Sequence, residues 1–323
     1  MTPTDCIRAC RGGITAAVLL LASCASLAQT SPNEWLERMS DVVSTMDYEG
    51  TLTRRQNGEA EALKIVHKVV DGVVKEKLTT QEGTGLEIIR IGDEVHCILP
   101  DRKTVLIENW HDKSTLFSSL PRSEIRFGAE YDLSIIREDR VAGRRAILLA
   151  VRPHDGYRFG HRIWLDSETA FPLRTQLVDG EGRAIEELKF ADISFSSDIS
   201  AAALAPTMSL DDYTWYREPA ETAEVDIDPG WENDDLPAGF RAVSTRNERL
   251  PGVDTPVTHI IYSDGLATVS VFITRRQDQQ IAERSTVGTS SSYHVEYGDH
   301  QITAVGEVPA ETVQLIATGM RQP

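Results

Sequence analysis

The chain is short of three things: cysteine, positive charge and any apolar run long enough to cross a bilayer. Of its four cysteines, Cys6, Cys10 and Cys24 lie within the first 28 residues. Cys97 stands alone in the remainder, so no intramolecular disulfide can form there. It sits in the strand-like run Glu94-Val95-His96-Cys97-Ile98-Leu99, where a buried structural thiol is expected rather than a nucleophile. A lone thiol also suits an oxidising compartment, in which spare cysteines invite mispairing. Lys and Arg number 33 against 50 Asp and Glu, a formal charge of −17. That balance argues against nucleic acid, whose phosphates need basic neutralisation, and against adsorption to anionic lipid. The apolar run Ile14 to Ala22 falls short of the ~20 residues that span a bilayer, and no later stretch is longer.

Catalytic signatures are scarce as well. The chain has no G-x-S-x-G elbow, no H-E-x-x-H, no phosphate loop and no dinucleotide fingerprint. Its eight histidines are scattered, and no two fall at i, i+4 on a credible helix. His294 and His300 flank Tyr297-Gly298-Asp299, where a hairpin would bring them close; two imidazoles without a third ligand bind metal weakly. Carboxylates are many but lie in acidic loops, so no glycosidase pair stands out. A binding protein is expected, with no cofactor and no metal.

What is present begins with an export leader: Arg8 and Arg11, the apolar run, then small residues ending in Ser26-Leu27-Ala28. Cleavage between Ala28 and Gln29 is the expectation. Leu21-Ala22-Ser23-Cys24 also reads as a lipobox, so acylation at Cys24 is the alternative. The leader carries Asp5, Arg8 and Arg11, a net +1, which leaves −18 on the remainder. The expected organisation is a leader over 1–28, a β domain over 29–205, a linker over 206–235 and a small α+β domain over 236–323.

Ser31-Pro32-Asn33-Glu34 is a capping box with proline at the first helical position. Trp35, Met39, Val42, Val43 and Met46 follow at helical spacing, one apolar stripe that must lie on something. From Tyr48 to about Phe195 the period changes to two. Asn57-Gly58, Asp71-Gly72, Asp155-Gly156 and Asp179-Gly180 punctuate it as hairpin signals. Eleven strands are expected, over 48–54, 62–70, 73–79, 86–91, 94–99, 103–109, 131–139, 145–152, 157–166, 172–178 and 184–195, as an antiparallel meander.

With Asp71-Gly72 as a two-residue loop, Val70 faces Val73 and pairing proceeds outward. One face then carries Leu63, Ile65, Val69, Val74 and Leu78, interrupted by His67 opposite Glu76 near the rim. The other carries Lys64, Lys68, Lys75 and Lys77 and is expected to be wet, since Lys68 opposite Lys75 is acceptable only in water. Tyr157, Phe159, Ile163 and Leu165 repeat the inward pattern against Arg158, Arg162 and Asp166. A curved sheet with so apolar a concave face either packs solid or encloses a greasy hollow. Leu63, Ile65, Val69, Val74, Leu78, Tyr157, Phe159 and Ile163 are the candidate lining.

Residues 196–235 turn alanine-rich, then aromatic at Tyr213-Thr214-Trp215-Tyr216, then acidic. Beyond them about five strands and a helix carrying Val313, Ile316, Ala317 and Met320 make a compact α+β unit. Three basic doublets stand out: Arg54-Arg55, Arg144-Arg145 and Arg275-Arg276. Neighbours in a strand point to opposite faces, so each doublet offers one guanidinium per surface. Solvated strand ends explain them; contact with a lipid phosphate or an acidic peptide is the sharper alternative.

The order of parts resembles the MucB/RseB family. The resemblance rests on Leu236-Pro237-Ala238-Gly239-Phe240, Tyr262-Ser263-Asp264-Gly265-Leu266 and Val305-Gly306-Glu307-Val308-Pro309. In the large domain, Ile163-Trp164-Leu165-Asp166 and Phe171-Pro172-Leu173-Arg174 add to it. The family usually carries a tryptophan just before the small domain's Leu-Pro; here Asp235 holds that place, with Trp231 nearby.

The resemblance implies an α+β, mainly β fold. Its large domain is a half-open antiparallel β-barrel with covering helices, similar to bacterial lipoprotein carriers, and a smaller α+β domain follows. It also implies a periplasmic protein that binds the periplasmic part of a membrane-spanning anti-sigma factor and shields it from proteolysis. Lipopolysaccharide or lipoprotein acyl chains would compete, and an envelope-stress sigma factor would be under negative control. Arg275, Arg276 and Tyr262 are the candidate partner-binding residues. A lipid or lipoprotein carrier without that partner is the alternative, and an unrecognised hydrolase a third. The sequence leaves self-association open.

Overall fold

The computed structural model describes residues 30–109, 116–117, 120–121, 130–196, 198–217, 230–248, 256–276 and 283–322. The leader, including Ala28 and Gln29, lies outside the described residues. Among the described residues no helix is long and apolar enough to cross a membrane.

Helix α1 spans Pro32–Thr45. Both halves of its capping box form: the Glu34 N–H donates to Ser31 Oγ at 3.2 Å, and the Ser31 N–H donates to Glu34 Oε2 at 2.6 Å. Met46 ends it in an extended conformation. Trp35, Leu36, Met39 and Val43 are buried in one cluster with Leu52, Leu63, Ile65, Leu148, Leu149, Ile163 and Leu173. The apolar stripe therefore lies on the concave face of the large sheet. Removing that area from water supplies about 25 cal/mol per Å², more than helix propensity alone gives so short a helix.

Eleven strands follow: β1 (Tyr48–Gln56), β2 (Glu59–Val70), β3 (Val73–Thr80), β4 (Glu87–Ile91), β5 (Glu94–Leu99), β6 (Thr104–Asn109), β7 (Tyr131–Val141), β8 (Arg144–Pro153), β9 (Gly160–Asp166), β10 (Pro172–Val178) and β11 (Ala184–Ser194). A twelfth, β12 (Thr214–Arg217), joins the same sheet. The order is β12-β6-β5-β4-β3-β2-β1-β11-β10-β9-β8-β7. The expectation of a single meander is corrected: two meanders, β1–β6 and β7–β11, are joined by β1 pairing with β11, and β12 pairs parallel to β6. At that join Gly50 is forced. A Cβ there would lie 2.5 Å from the Asp192 carbonyl oxygen, beside the register shift at Thr51/Leu52.

The Asp71-Gly72 hairpin has the expected register throughout, with Val70 opposite Val73, Lys68 opposite Lys75 and His67 opposite Glu76. The turn residues take the left-handed conformation, Asp71 at φ 52 and Gly72 at φ 79, as a two-residue hairpin requires. His67 and Glu76 are not near the rim. Both are fully buried, His67 Nδ1 lies 2.8 Å from Glu76 Oε2, and the imidazole stacks on Tyr48 at 4.8 Å.

The convex face departs from the wet surface expected. Residues 199–213 strap across it: Lys68 Nζ donates to the Ile199 carbonyl and Lys77 Nζ to the Ala205 carbonyl, each at 2.7 Å. The Glu87 carboxylate accepts from the Thr207 N–H at 3.1 Å. Met208, Leu210 and Tyr213 then pack on Ile89, Ile98, Val105 and Ile107. Residues 206–217, within the stretch read as a linker, thus lie on the large sheet and end in its edge strand. Lys68 and Lys77 are thus held by backbone carbonyls, whereas Lys64 remains exposed as expected.

The small domain holds β14 (Arg241–Glu248), β15 (Val257–Ser263), β16 (Thr268–Arg275), β17 (Glu283–Val287), β18 (Ser290–Tyr297) and β19 (His300–Gly306), in the order β14-β15-β16-β19-β18-β17. Helix α2 (Ala310–Gly319) covers one face through Val313, Ile316 and Ala317, and the two-residue strands β13 (Glu232–Asn233) and β20 (Met320–Arg321) pair beside it. The protein is mainly β, with two α-helices among the described residues.

Two stability predictions follow from this packing. Met39 is 1% exposed in the large core, so Met39→Ala should cost about 2–5 kcal/mol in urea denaturation. His161 on β9 is buried, and burial pushes its pKa down to about 4. The unfolded chain takes up that proton near the ordinary value of 6.5, while the native chain does not. Stability is therefore complete above that pH and falls by up to about 3 kcal/mol as pH drops toward 4. His161→Leu should flatten this slope in urea melts taken across the window.

Candidate functional site

The Asp155-Gly156 signal is followed by chain that is not yet strand: β9 starts at Gly160 rather than 157. That delay turns Arg158 away from the polar face assigned to it and into the junction with the small domain. Its side chain is 0% exposed. Nε and Nη2 donate to the two Asp155 carboxylate oxygens at 3.1 and 3.0 Å. Nη2 also donates to the Ala238 carbonyl at 2.6 Å, and Nη1 to Asp264 Oδ2 at 2.5 Å. The Tyr131 hydroxyl donates to the same Asp264 oxygen at 2.8 Å. The Tyr131 and Phe240 rings lie 5.3 and 5.1 Å from the guanidinium carbon.

Burial works against the Arg158 charge, but Asp264, Tyr131 and Asp155 outweigh it and hold its pKa above the ordinary value. Burial, with Asp264 next, pushes the Tyr131 phenol up, so it remains a donor. Asp264 is fixed from its own side by the Leu266 and Ala267 N–H groups, at 2.9 and 2.7 Å from Oδ1. Gly239 is the second position where glycine is needed: φ is +81 and a Cβ would meet the Glu130 side chain at 3.0 Å. Thr312 of α2 completes the junction, donating to the Tyr157 carbonyl at 2.7 Å. No period in the sequence pointed to Arg158 and Asp264 as partners, because 106 residues separate them.

The candidate hollow residues lie elsewhere. Leu63, Ile65 and Ile163 are packed in the large core beneath α1, with Leu78 partly buried against it. Phe171 fills the middle, with Tyr48, Phe117, Phe190 and Phe195 within 6 Å, at 4.6, 5.7, 5.7 and 5.2 Å between ring centroids. Val69, Val74 and Phe159 are half-buried, and Tyr157 is exposed at the domain junction. Four of the eight, Leu63, Ile65, Ile163 and Leu78, thus share one cluster with the α1 stripe. The helix stripe takes the place that the sequence left open.

Of the partner-binding candidates, Tyr262 is withdrawn from the surface. It is 3% exposed in the small core, its hydroxyl 3.5 Å from Met320 Sδ. Arg276 is paired with Glu296 at 3.1 Å. Arg275 lines a cleft of about 290 Å³ with Trp231, Pro256, Thr258, Ile273, Thr274 and His300. His294 and His300 are not brought together, since His294 faces Thr303 and His300 faces Arg275. Among the described residues no group of three His, Cys, Asp or Glu could hold a metal. Cys97 is half-buried, its thiol pushed up to about 11 by burial and then by Glu108, which removes it as a nucleophile.

The sequence profile of the MucB/RseB N-terminal domain matches residues 31–208, and that of the MucB/RseB C-terminal domain matches residues 226–321. The chain belongs to the MucB/RseB family. It is 29% identical over 316 residues to the sigma factor AlgU regulatory protein MucB of Pseudomonas aeruginosa, covering 95% of this chain and 97% of that one. To the sigma-E factor regulatory protein RseB of Escherichia coli K12 it is 27% identical, covering 94% of each. The crystal structure of a P. aeruginosa MucA/MucB complex matches with a TM-score of 0.69 and 27% identity, over 90% of this chain and 98% of that one. A crystal structure of MucB matches at 0.57, with 25% identity over 92% and 99%. The family is regulatory, not enzymatic. In this MucB/RseB chain, the Leu236–Phe240 and Tyr262–Leu266 segments that carry the resemblance are the ones that close on Arg158.

Breaking a buried pair from one side leaves the other charge uncompensated. Asp264→Ala should therefore destabilise the chain by about 3–5 kcal/mol in urea, while Asp264→Asn, which keeps an oxygen for the turn N–H groups, should lose less.

Proposed function

We propose that the chain is a periplasmic negative regulator of an envelope-stress sigma factor. It binds the periplasmic part of a membrane-spanning anti-sigma factor and shields it from regulated proteolysis. What supports the reading is the likeness along nearly the whole chain, both domains included, to MucB, whose solved structures include a complex with MucA. In this reading the partner binds between the domains and along the small one, where Arg275 and Arg276 stand at the end of β16 remote from Asp264.

Lipopolysaccharide or mislocalised lipoprotein would then act on the large domain. The concave face that carries Leu63, Ile65 and Ile163 is occupied by α1, so an acyl chain enters only by displacing the stripe of Trp35, Met39 and Val43. That exchange of one apolar surface for another is nearly balanced, as a switch requires. A hundredfold coupling to partner release needs under about 3 kcal/mol.

Purified chain mixed with the periplasmic part of an anti-sigma factor should co-elute on gel filtration and slow its proteolysis. Added lipid A should release it. Absence of co-elution sinks the regulator reading; co-elution that lipid A leaves unchanged removes only the sensing step.

A further inference from the structure

The core face of the small sheet can be followed row by row. Tyr262, Val269 and Gly306 lie side by side, then Ile260, Val271 and Ala304, then Thr258, Ile273 and Ile302. Val269, Val271 and Ile273 are 0%, 0% and 3% exposed. One step further the apolar alternation stops, and Arg275 stands directly opposite His300. Both side chains face the same cleft, whose wall is Trp231, itself 7% exposed and 5.3 Å from the His300 ring.

Two basic groups paired across strands repel when both are charged, unless an anion lies between them. Among the described residues neither Arg275 nor His300 has a carboxylate partner, although the chain carries 50 acidic residues. Arg276, beside it on the opposite face, is neutralised by Glu296, as are Arg54 by Glu186, Arg144 by Asp166 and Arg145 by Glu138. Of the six doublet arginines, Arg55 and Arg275 have no carboxylate partner among the described residues, and Arg275 is the one that lines a cleft with an aromatic wall.

We propose that this cleft takes the carboxylate of an acidic peptide residue flanked by an apolar side chain. The carboxylate would lie on Arg275 and His300, and the apolar side chain against Trp231 and Ile273. Arginine suits a carboxylate because its planar fork donates two parallel hydrogen bonds. A volume of about 290 Å³ accommodates a side chain or two rather than an acyl chain. A phosphate-bearing lipid surface is the poorer fit: the net charge of −17 repels it, and Glu232 and Asp299 adjoin Trp231 and His300 in the chain. The proposal rests on the partner-binding reading above only for which protein supplies the peptide.

The test is an NMR titration of the full chain, reading the Trp231 indole N–H and the His300 ring signals. The probes are acetyl-Leu-Glu-amide, acetyl-Leu-Gln-amide and inorganic phosphate. The Glu peptide should shift both signals saturably and bind about tenfold more tightly than the Gln peptide, the loss expected when a charge-assisted bond is removed. Arg275→Gln, at an exposed position, should abolish that preference, and His300→Gln should weaken it. Equal binding of the two peptides, no saturable shift, or phosphate binding more tightly than the Glu peptide would each overturn the proposal. Failure here is distinct from failure of the regulator reading. A chain that ignores the peptides yet co-elutes with the anti-sigma domain loses only this cleft, and one that discriminates them without co-eluting keeps it.

Discussion

Arg158 carries a full charge into a place without water, and the joining of the two domains is organised around making that tolerable. Moving a guanidinium out of water costs several kcal/mol even after relaxation, and only close, well-directed acceptors offset it. Asp155 comes from its own loop, the Ala238 carbonyl and Asp264 from the small domain, and two aromatic faces close the remaining sides. Each acceptor is itself held, Asp264 by two backbone N–H groups of its turn. The pair adds little net stability over an apolar contact of similar shape. Its consequence is geometric, since the donors of Arg158 are met by acceptors from both sheets' units at once.

That constraint connects the chemistry of the small domain to the large one. The turn at Asp264 leads into β16, whose far end carries Arg275 and the basic cleft. The loop that bears Arg158 leads into β9, whose Ile163 and Leu165 lie in the core beneath α1. A ligand that displaced α1 would disturb a strand anchored at the junction, and a peptide on the small domain would pull on the other side of the same contact. Two surfaces that share one joint can be coupled through a few kcal/mol.

Much of the fold was legible where a local rule decides it. The capping box at Ser31, eleven of the twelve strands of the large sheet and the register around Asp71-Gly72 all follow from spacing and turn chemistry. What could not be read depends on contacts between distant segments. Alternation showed that Leu63, Ile65 and Ile163 face one side of the sheet, but not that α1 fills that side. The lysines of β2 and β3 looked solvated because the carbonyls that receive them arrive more than a hundred residues later. Pairing of β1 with β11 follows no sequence period, and the parallel return of β12 runs against the antiparallel expectation. Tyr262 drew attention as an aromatic within a family-like motif, yet it belongs to the small core. Arg158 was placed on a polar face by strand alternation, which fails because the strand begins two residues after it.

The alignment of the two sheets in solution tests the central claim most directly. Residual dipolar couplings measured on amides of β2, β8 and β9 and on those of β15, β16 and β19 report each sheet's orientation. A joint held by Arg158 predicts a single alignment tensor that fits both sets. Two tensors of different magnitude would mean that the domains reorient independently, and would contradict the account.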